Sequence, residues 1–243
     1  MTLIQPNCRV QFTADDLDFI IATLGKQPND RDLLLKLLSD EETRDLILDD
    51  DKLFRAVLEN RGCLRVSNRL YFFLIVRNVL RKAGIEDRGV ADYTAELLAQ
   101  YSQQDRTRCR VPGHEEPLDY VFEMLAALQK ADDRNAFYIR AHIGNHSLFL
   151  SGVFPQRIRY RAEKKGFPDL RYYEALGQSS FKIASDHRLA ERYDLAPIYA
   201  TLADRFQETR QALNDMSERL VSLGDLDSGI EKLLLTSLNQ GWN

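Results

Sequence analysis

Residues 137–154 read FYIRAHIGNHSLFLSGVF, and this stretch decides the fold class. On a wheel of about 3.6 residues per turn, Ile139, His142, His146, Phe149, Leu150 and Val153 share one broad face. Phe137, Ala141, Gly144, Leu148 and Gly152 share the opposite one, and only Arg140, Ser147 and Ser151 form a narrow polar strip. A helix with two broad apolar faces needs covering on both, so other helices must flank it. Gly144 and Gly152 each cost about 1 kcal/mol of helix stability relative to Ala. Close approach of a neighbouring backbone explains such a choice.

Working outward, helical periodicity recurs along most of the chain and strand alternation almost nowhere. The predicted fold is all-α, a multi-helix, bundle-like array with short N-terminal helices packed on a larger C-terminal helical core. Thr13 caps a helix over Ala14–Leu24, Asn29 opens one at 30–38, and Ser39 caps the next with Glu42 in the capping-box position. A fourth follows over Asp51–Glu59. Ser67 caps Asn68–Lys82, whose LYFFLIV centre belongs in the core, and another helix covers about 89–101. Residues 102–116 are polar and carry Pro112-Gly113, the best place for a boundary between an N-terminal lobe, 1–105, and a C-terminal core, 106–243. In the second half the expected helices are 117–130 (Pro117 at its first position), Asp133–Val153, Pro155–Lys165, 170–193, 195–223 and 227–238. Short extended pieces at 64–66 and 108–111 are expected to pair.

Composition narrows the function classes. The chain has 243 residues, 44% hydrophobic and 29% charged, with a formal net charge of −4. Whole-molecule electrostatics therefore gives no argument for DNA, RNA or acidic membranes. Cys8, Cys63 and Cys109 are odd in number and form no CxxC, which fits a reducing compartment. No secretory pattern opens the chain, and the longest apolar run, 70–76, is far short of the ~20 residues a membrane span needs. The expected location is cytoplasmic.

Four groups of residues invite chemistry. His142 and His146 lie one turn apart and could ligate one transition metal ion, but HxxxH is half a site, and neither HExxH nor ExxH occurs. Together with Asn145, Arg140 and His187 they outline a candidate polar pocket, with Glu174 and Asp186 as nearby carboxylates. The stripe Tyr173, Leu176, Ser180, Ile183, His187, Ala190 would bring the third histidine in. The plainer reading, neutral hydrogen-bonded core histidines and no cofactor, is preferred.

The second group is the basic helix PQRIRYRAEKK, where Arg157, Arg159, Arg161, Lys164 and Lys165 face only Glu163, a local charge of +4. It offers an anion or nucleic-acid contact surface. The preferred reading is a solvated face that pairs with the chain's own acidic stretch, 40–51, or with Asp132-Asp133. The third is the seam Leu202, Phe206, Thr209, Leu213, Met216, Leu220, Leu223, which suits either a homodimer or packing within one bundle. The fourth, Tyr172, Tyr173, Ser179 and Ser180, lacks the GxSxG turn of a serine nucleophile. No P-loop or dinucleotide-binding glycine pattern occurs.

The expected function is a non-catalytic module that binds a protein partner or self-associates through its long helices. The alternatives are an enzyme or small-anion carrier built on the histidine pocket, and nucleic-acid binding through the basic helix.

Overall fold

The computed structural model describes residues 3–25, 30–59, 66–102 and 120–222. Among them a 3₁₀ turn at Cys8–Val10 is followed by thirteen α-helices and no strand. They are α1 (Ala14–Leu24), α2 (Asp30–Ser39), α3 (Glu41–Leu48), α4 (Asp51–Glu59), α5 (Asn68–Lys82), α6 (Arg88–Tyr101) and α7 (Val121–Leu128). The chain continues with α8 (Asp133–Val153), α9 (Pro155–Lys165), α10 (Leu170–Ser185), α11 (Arg188–Arg192), α12 (Ala196–Asp204) and α13 (Phe206–Ser222). The all-α fold read from the sequence is the observed one. No described helix is long and apolar enough to cross a membrane.

Side-chain caps set most helix starts, as their residue types require. Thr13 and Asp16 form a reciprocal capping box on α1. Ser67, Asp87, Asp132 and Asp169 accept backbone N–H bonds at the starts of α5, α6, α8 and α10. One expected cap is corrected: Asp40, not Ser39, caps α3, while the Ser39 hydroxyl donates back to the Leu35 carbonyl and finishes α2. The helix expected from Pro117 is observed as α7; Pro117, Leu223, the pieces at 64–66 (save Val66) and 108–111, and the helix at 227–238 lie outside the described residues.

Two helices expected to be long are each broken. The 170–193 helix stops at Ser185, whose hydroxyl bonds the Lys182 carbonyl, and His187 caps α11 by accepting the Leu189 N–H at 3.1 Å. Asp194 then turns through φ +56, the left-handed region, while Leu195 N–H closes back onto the Ala190 carbonyl at 2.8 Å. Asp194 therefore ends α11 and does not cap a helix at 195. The 195–223 helix bends at Arg205, which leaves helical geometry and donates to the Ala83 carbonyl at the end of α5 (3.3 Å) and to Glu208 (2.9 Å).

Helix α8 is the axis. Its N-terminal half meets α7 through Ile139 and Ile143, which form a small apolar cluster with Met124 and Ala127. A larger cluster runs through α5, α6, α8, α10, α12 and α13, so the core crosses the boundary expected near residue 105 without interruption. The strip Arg140, Ser147, Ser151 is not the exposed edge it resembles in the sequence. Ser147 and Ser151 are fully buried, because α10 packs there. Neighbouring side chains, not the neighbouring backbone expected, explain the glycines. A Cβ on Gly144 would lie 2.8 Å from the Phe181 ring, one on Gly152 2.9 Å from Leu213, and one on Gly177 2.4 Å from Phe206 and 2.9 Å from Ser147. The seam of α12 and α13, Leu202 to Leu220, is buried against α5, α8 and α10 of the same chain. That surface is consumed inside the molecule.

Gly177→Ala should lower stability by about 1–3 kcal/mol through overpacking, outweighing the roughly 1 kcal/mol that alanine contributes to the helix. Calorimetry should record a fall of several degrees in Tm, about 2–4 °C per kcal/mol at this size. Adding Phe206→Leu should cost less than the sum of the two single changes, because both act on one notch. Strict additivity would contradict that packing.

Candidate functional site

The polar groups of α8 divide among different neighbours. Asn145 accepts a 2.7 Å hydrogen bond from the Tyr93 hydroxyl of α6, and the Tyr93 and Tyr199 hydroxyls lie 3.5 Å apart with their rings edge to face. Burial pushes both phenols well above their ordinary pKa. His142 and His146 stack with centroids 6.2 Å apart, and the Tyr101 hydroxyl sits 3.4 Å from His142 Nδ1 while its ring meets Phe149. His146 is buried and His142 is half-buried.

His187 does not join them. Its ring stacks on Phe137 at 4.9 Å, its Nδ1 caps α11, and its Nε2 stands 3.2 Å from Asp133. The stripe expected to carry it inward is also revised, since Ile183 is half exposed and the packed side of α10 is Gly177, Ser180, Phe181 and Ala184. The carboxylates expected near the pocket are committed elsewhere. Glu174 pairs with the buried Arg210 at 2.5 Å, and Asp186 sits beside Lys182 and Ser185. Arg140 is half-buried, and burial lowers its pKa. Among the described residues no group of three or more His, Cys, Asp or Glu side chains converges on a point that could hold a metal ion. The pair His142 and His146 remains two imidazoles on one helix face.

A polar cluster that the sequence reading missed lies under the N-terminal helices. Arg9 clamps Asp45 of α3 and Asp92 of α6. The Cys8 thiol donates to Glu96 (3.2 Å), which also takes Arg69 in a bidentate pair (2.7 and 3.0 Å) and Gln100 (2.9 Å). Arg77, 3% exposed, holds Asp49 bidentately (2.7 and 3.0 Å), and Arg88 adds a third bond to that carboxylate. Burial favours the neutral acids, yet hydrogen bonds from Arg77 and Arg88 keep Asp49 below its ordinary pKa, and those from Arg69, Gln100 and Cys8 do the same for Glu96. Asp92 goes the other way: burial raises it despite Arg9. Burial and the two carboxylates push the Cys8 thiol up. The signal was present in VADYTAELLA, where Asp92 and Glu96 stand four residues apart on a helix otherwise apolar all round.

The basic helix is where the expectation of internal pairing fails. Among the described residues no carboxylate stands within ion-pair distance of Arg159, Arg161, Lys164 or Lys165. Asp45 and Asp49 of the acidic stretch are taken by Arg9, Arg77 and Arg88, and Asp133 by His187 and Arg188. Gly166, at φ +66, then turns the chain so that Phe167 lies under the Arg161 guanidinium at 4.0 Å. Burial and the neighbouring Arg161 both lower the Arg157 pKa, and the same Arg161 charge reaches Tyr173 on α10. Tyr160 is 60% exposed, and Phe167 and Tyr172 are 39% exposed. The result is one surface of guanidinium, ammonium and aromatic groups.

No protein-family model, curated protein or solved structure matches the chain.

Asp49→Asn should destabilise the protein at neutral pH by about 3 kcal/mol, because it leaves the buried Arg77 charge with only the exposed Glu86 carboxylate, 3.5 Å away. The folded pKa of Asp49 is depressed, so its contribution is complete above the unfolded value of 3.8 and is lost as pH falls through the lower folded value. Urea unfolding should show a shallower acid loss in the variant than in the parent. Parallel pH curves would remove Asp49 from that role.

Proposed function

We propose that this chain is a non-catalytic binding module whose working surface is the basic, aromatic face formed by α9 and the start of α10, and that it docks an acidic protein segment. The observation that carries the reading is the set of exposed cations, Arg159, Lys164 and Lys165, left without carboxylate partners among the described residues beside exposed Tyr160, Phe167 and Tyr172. Like charges held together favour an incoming anion, and amphipathic aromatics with arginine supply the anchor chemistry of protein interfaces. Support also comes from the core. Asn145 and His142 of α8 meet Tyr93 and Tyr101 of α6, and His187 stacks on Phe137 instead. Those are packing arrangements.

An acidic protein segment fits better than nucleic acid for an electrostatic reason. The basic patch is local, and the chain as a whole carries −4. A short acidic segment feels the patch within a screening distance of about 8 Å, whereas a long polyanion must also run past the acidic surface.

Fluorescence anisotropy with a labelled oligoglutamate peptide containing leucines tests this. Binding should weaken by about tenfold or more in Lys164→Glu/Lys165→Glu and on raising salt from about 50 to about 500 mM. Absence of binding, or binding indifferent to the double reversal, overturns the reading. Tighter, equally patch-dependent binding of a single-stranded oligonucleotide replaces it with nucleic-acid recognition.

A further inference from the structure

A second surface of opposite sign lies at the other end of the sequence. Helices α2 and α3 pack on each other and leave Leu33 56% and Leu46 67% exposed. Asp32 beside Leu33 in the chain, Glu41 and Glu42 on α3 with Leu46, and Asp51 at the start of α4 are exposed, and among the described residues none has a cation within ion-pair distance. The neighbouring Asp45 and Asp49 point inward to Arg9, Arg77 and Arg88, so the exposed acids form a separate layer. Helix α2 packs on α1 and α3, while α9 packs on α8 and α10. No ion pair joins the two surfaces within the molecule among the described residues.

From this complementarity we infer that the acidic segment received by the α9 surface is the α2–α3 face of a second copy of the chain. The inference rests on the binding reading above and names its partner. The two faces match in kind. One presents carboxylates around two leucines; the other presents cations around tyrosine and phenylalanine. Apolar contact supplies the buried centre and the charges form the rim, the usual anatomy of a specific interface. The net charge of −4 per chain is small enough that local attraction outweighs long-range repulsion between copies. Because the faces are different, the contact is heterologous and runs head to tail. It closes into a ring if the rotation permits and otherwise adds copies one after another. This self-association does not use the α12–α13 seam.

Sedimentation velocity and light scattering of the full chain test it. At about 50 mM salt the weight-average mass should rise with concentration above the 28.1 kDa monomer, and at about 500 mM it should return to it. Lys164→Glu/Lys165→Glu and Glu41→Lys/Glu42→Lys should each be monomeric. Mixed in equal amounts, they should form a complex of at least twice the monomer mass, because each keeps the face the other lacks. Reversal at Glu41 and Glu42 disturbs the favourable charge at the start of α3, so circular dichroism accompanies it. Leu33→Ser/Leu46→Ser, which leaves every charge in place, should also lose self-association.

A strict monomer at about 100 μM and low salt, well above the micromolar affinity of a weak specific contact, overturns the inference. So does self-association that survives both face variants, or a mixture that stays monomeric. A monomer that still binds the oligoglutamate peptide through Lys164 and Lys165 assigns the α9 surface to a different acidic protein. In that outcome the binding reading stands and the self-docking inference falls. Loss of both would remove the two together.

Discussion

The structure depends on one constraint: from Ile143 to Val153 α8 is buried on nearly every side, so each neighbour must come close without leaving a polar group stranded. Three glycines admit the neighbours. Gly144 receives Phe181, Gly152 receives Leu213, and Gly177 receives Phe206 against Ser147. Interiors pack at crystal-like density, so a single methyl group at such a contact is felt. The polar atoms are matched in turn. Asn145 takes Tyr93, Ser151 donates to the Ser147 carbonyl, and Asn214 of α13 donates to the Ser151 and Gly152 carbonyls at the end of the helix. Arg210 holds Asn214 and is itself held by Glu174. The C-terminal turn of a buried helix, whose last carbonyls have no partner within the helix, is thereby satisfied.

The N-terminal helices follow different physics. They are short, they join the main core through Ile20, Leu38, Leu48, Leu53, Phe54 and Val57, and charge adds a second tie at α3. Arg9 and Arg77 each bridge an N-terminal carboxylate to α5 or α6 in a site shielded from water. Such pairs contribute little net stability but are costly to break, so they specify arrangement more than they strengthen it. Their arrangement also decides what remains outside. Asp45 and Asp49 are drawn inward, and Asp32, Glu41, Glu42 and Asp51 stay in solvent. The acidic stretch is thus split into a structural layer and a surface layer. Among the described residues, that split leaves Arg159, Arg161, Lys164 and Lys165 of α9 without a carboxylate at ion-pair distance.

The histidines illustrate how far a pattern can be read. Spacing alone put His142 and His146 on one face, and they do stack there. Spacing also suggested that His187 would join them, on the assumption of one unbroken helix from 170 to 193. The break at Ser185 and His187 rotates the register, so His187 becomes a cap stacked on Phe137. The same error of continuity joined α12 to α13. At Ser185 and His187 side chains compete with the helix for backbone groups, and at Arg205 the side chain reaches out to the Ala83 carbonyl at the end of α5; sequence periodicity registers neither.

By itself the sequence determined the helical class, the limits of α8 and α9, and the caps at Thr13 and Ser67. These follow from local rules: a 3.6-residue period, hydroxyl or carboxylate caps at helix starts, and glycine where a helix ends. Only the tertiary structure decided which sides of α8 were covered, which carboxylates were drawn to arginines, and where two long helices bent. Those outcomes depend on residues far apart in the chain meeting in space, as Arg9 meets Asp92 and Gly177 meets Phe206. A local pattern records that a group needs a partner, and the packed fold alone chooses which.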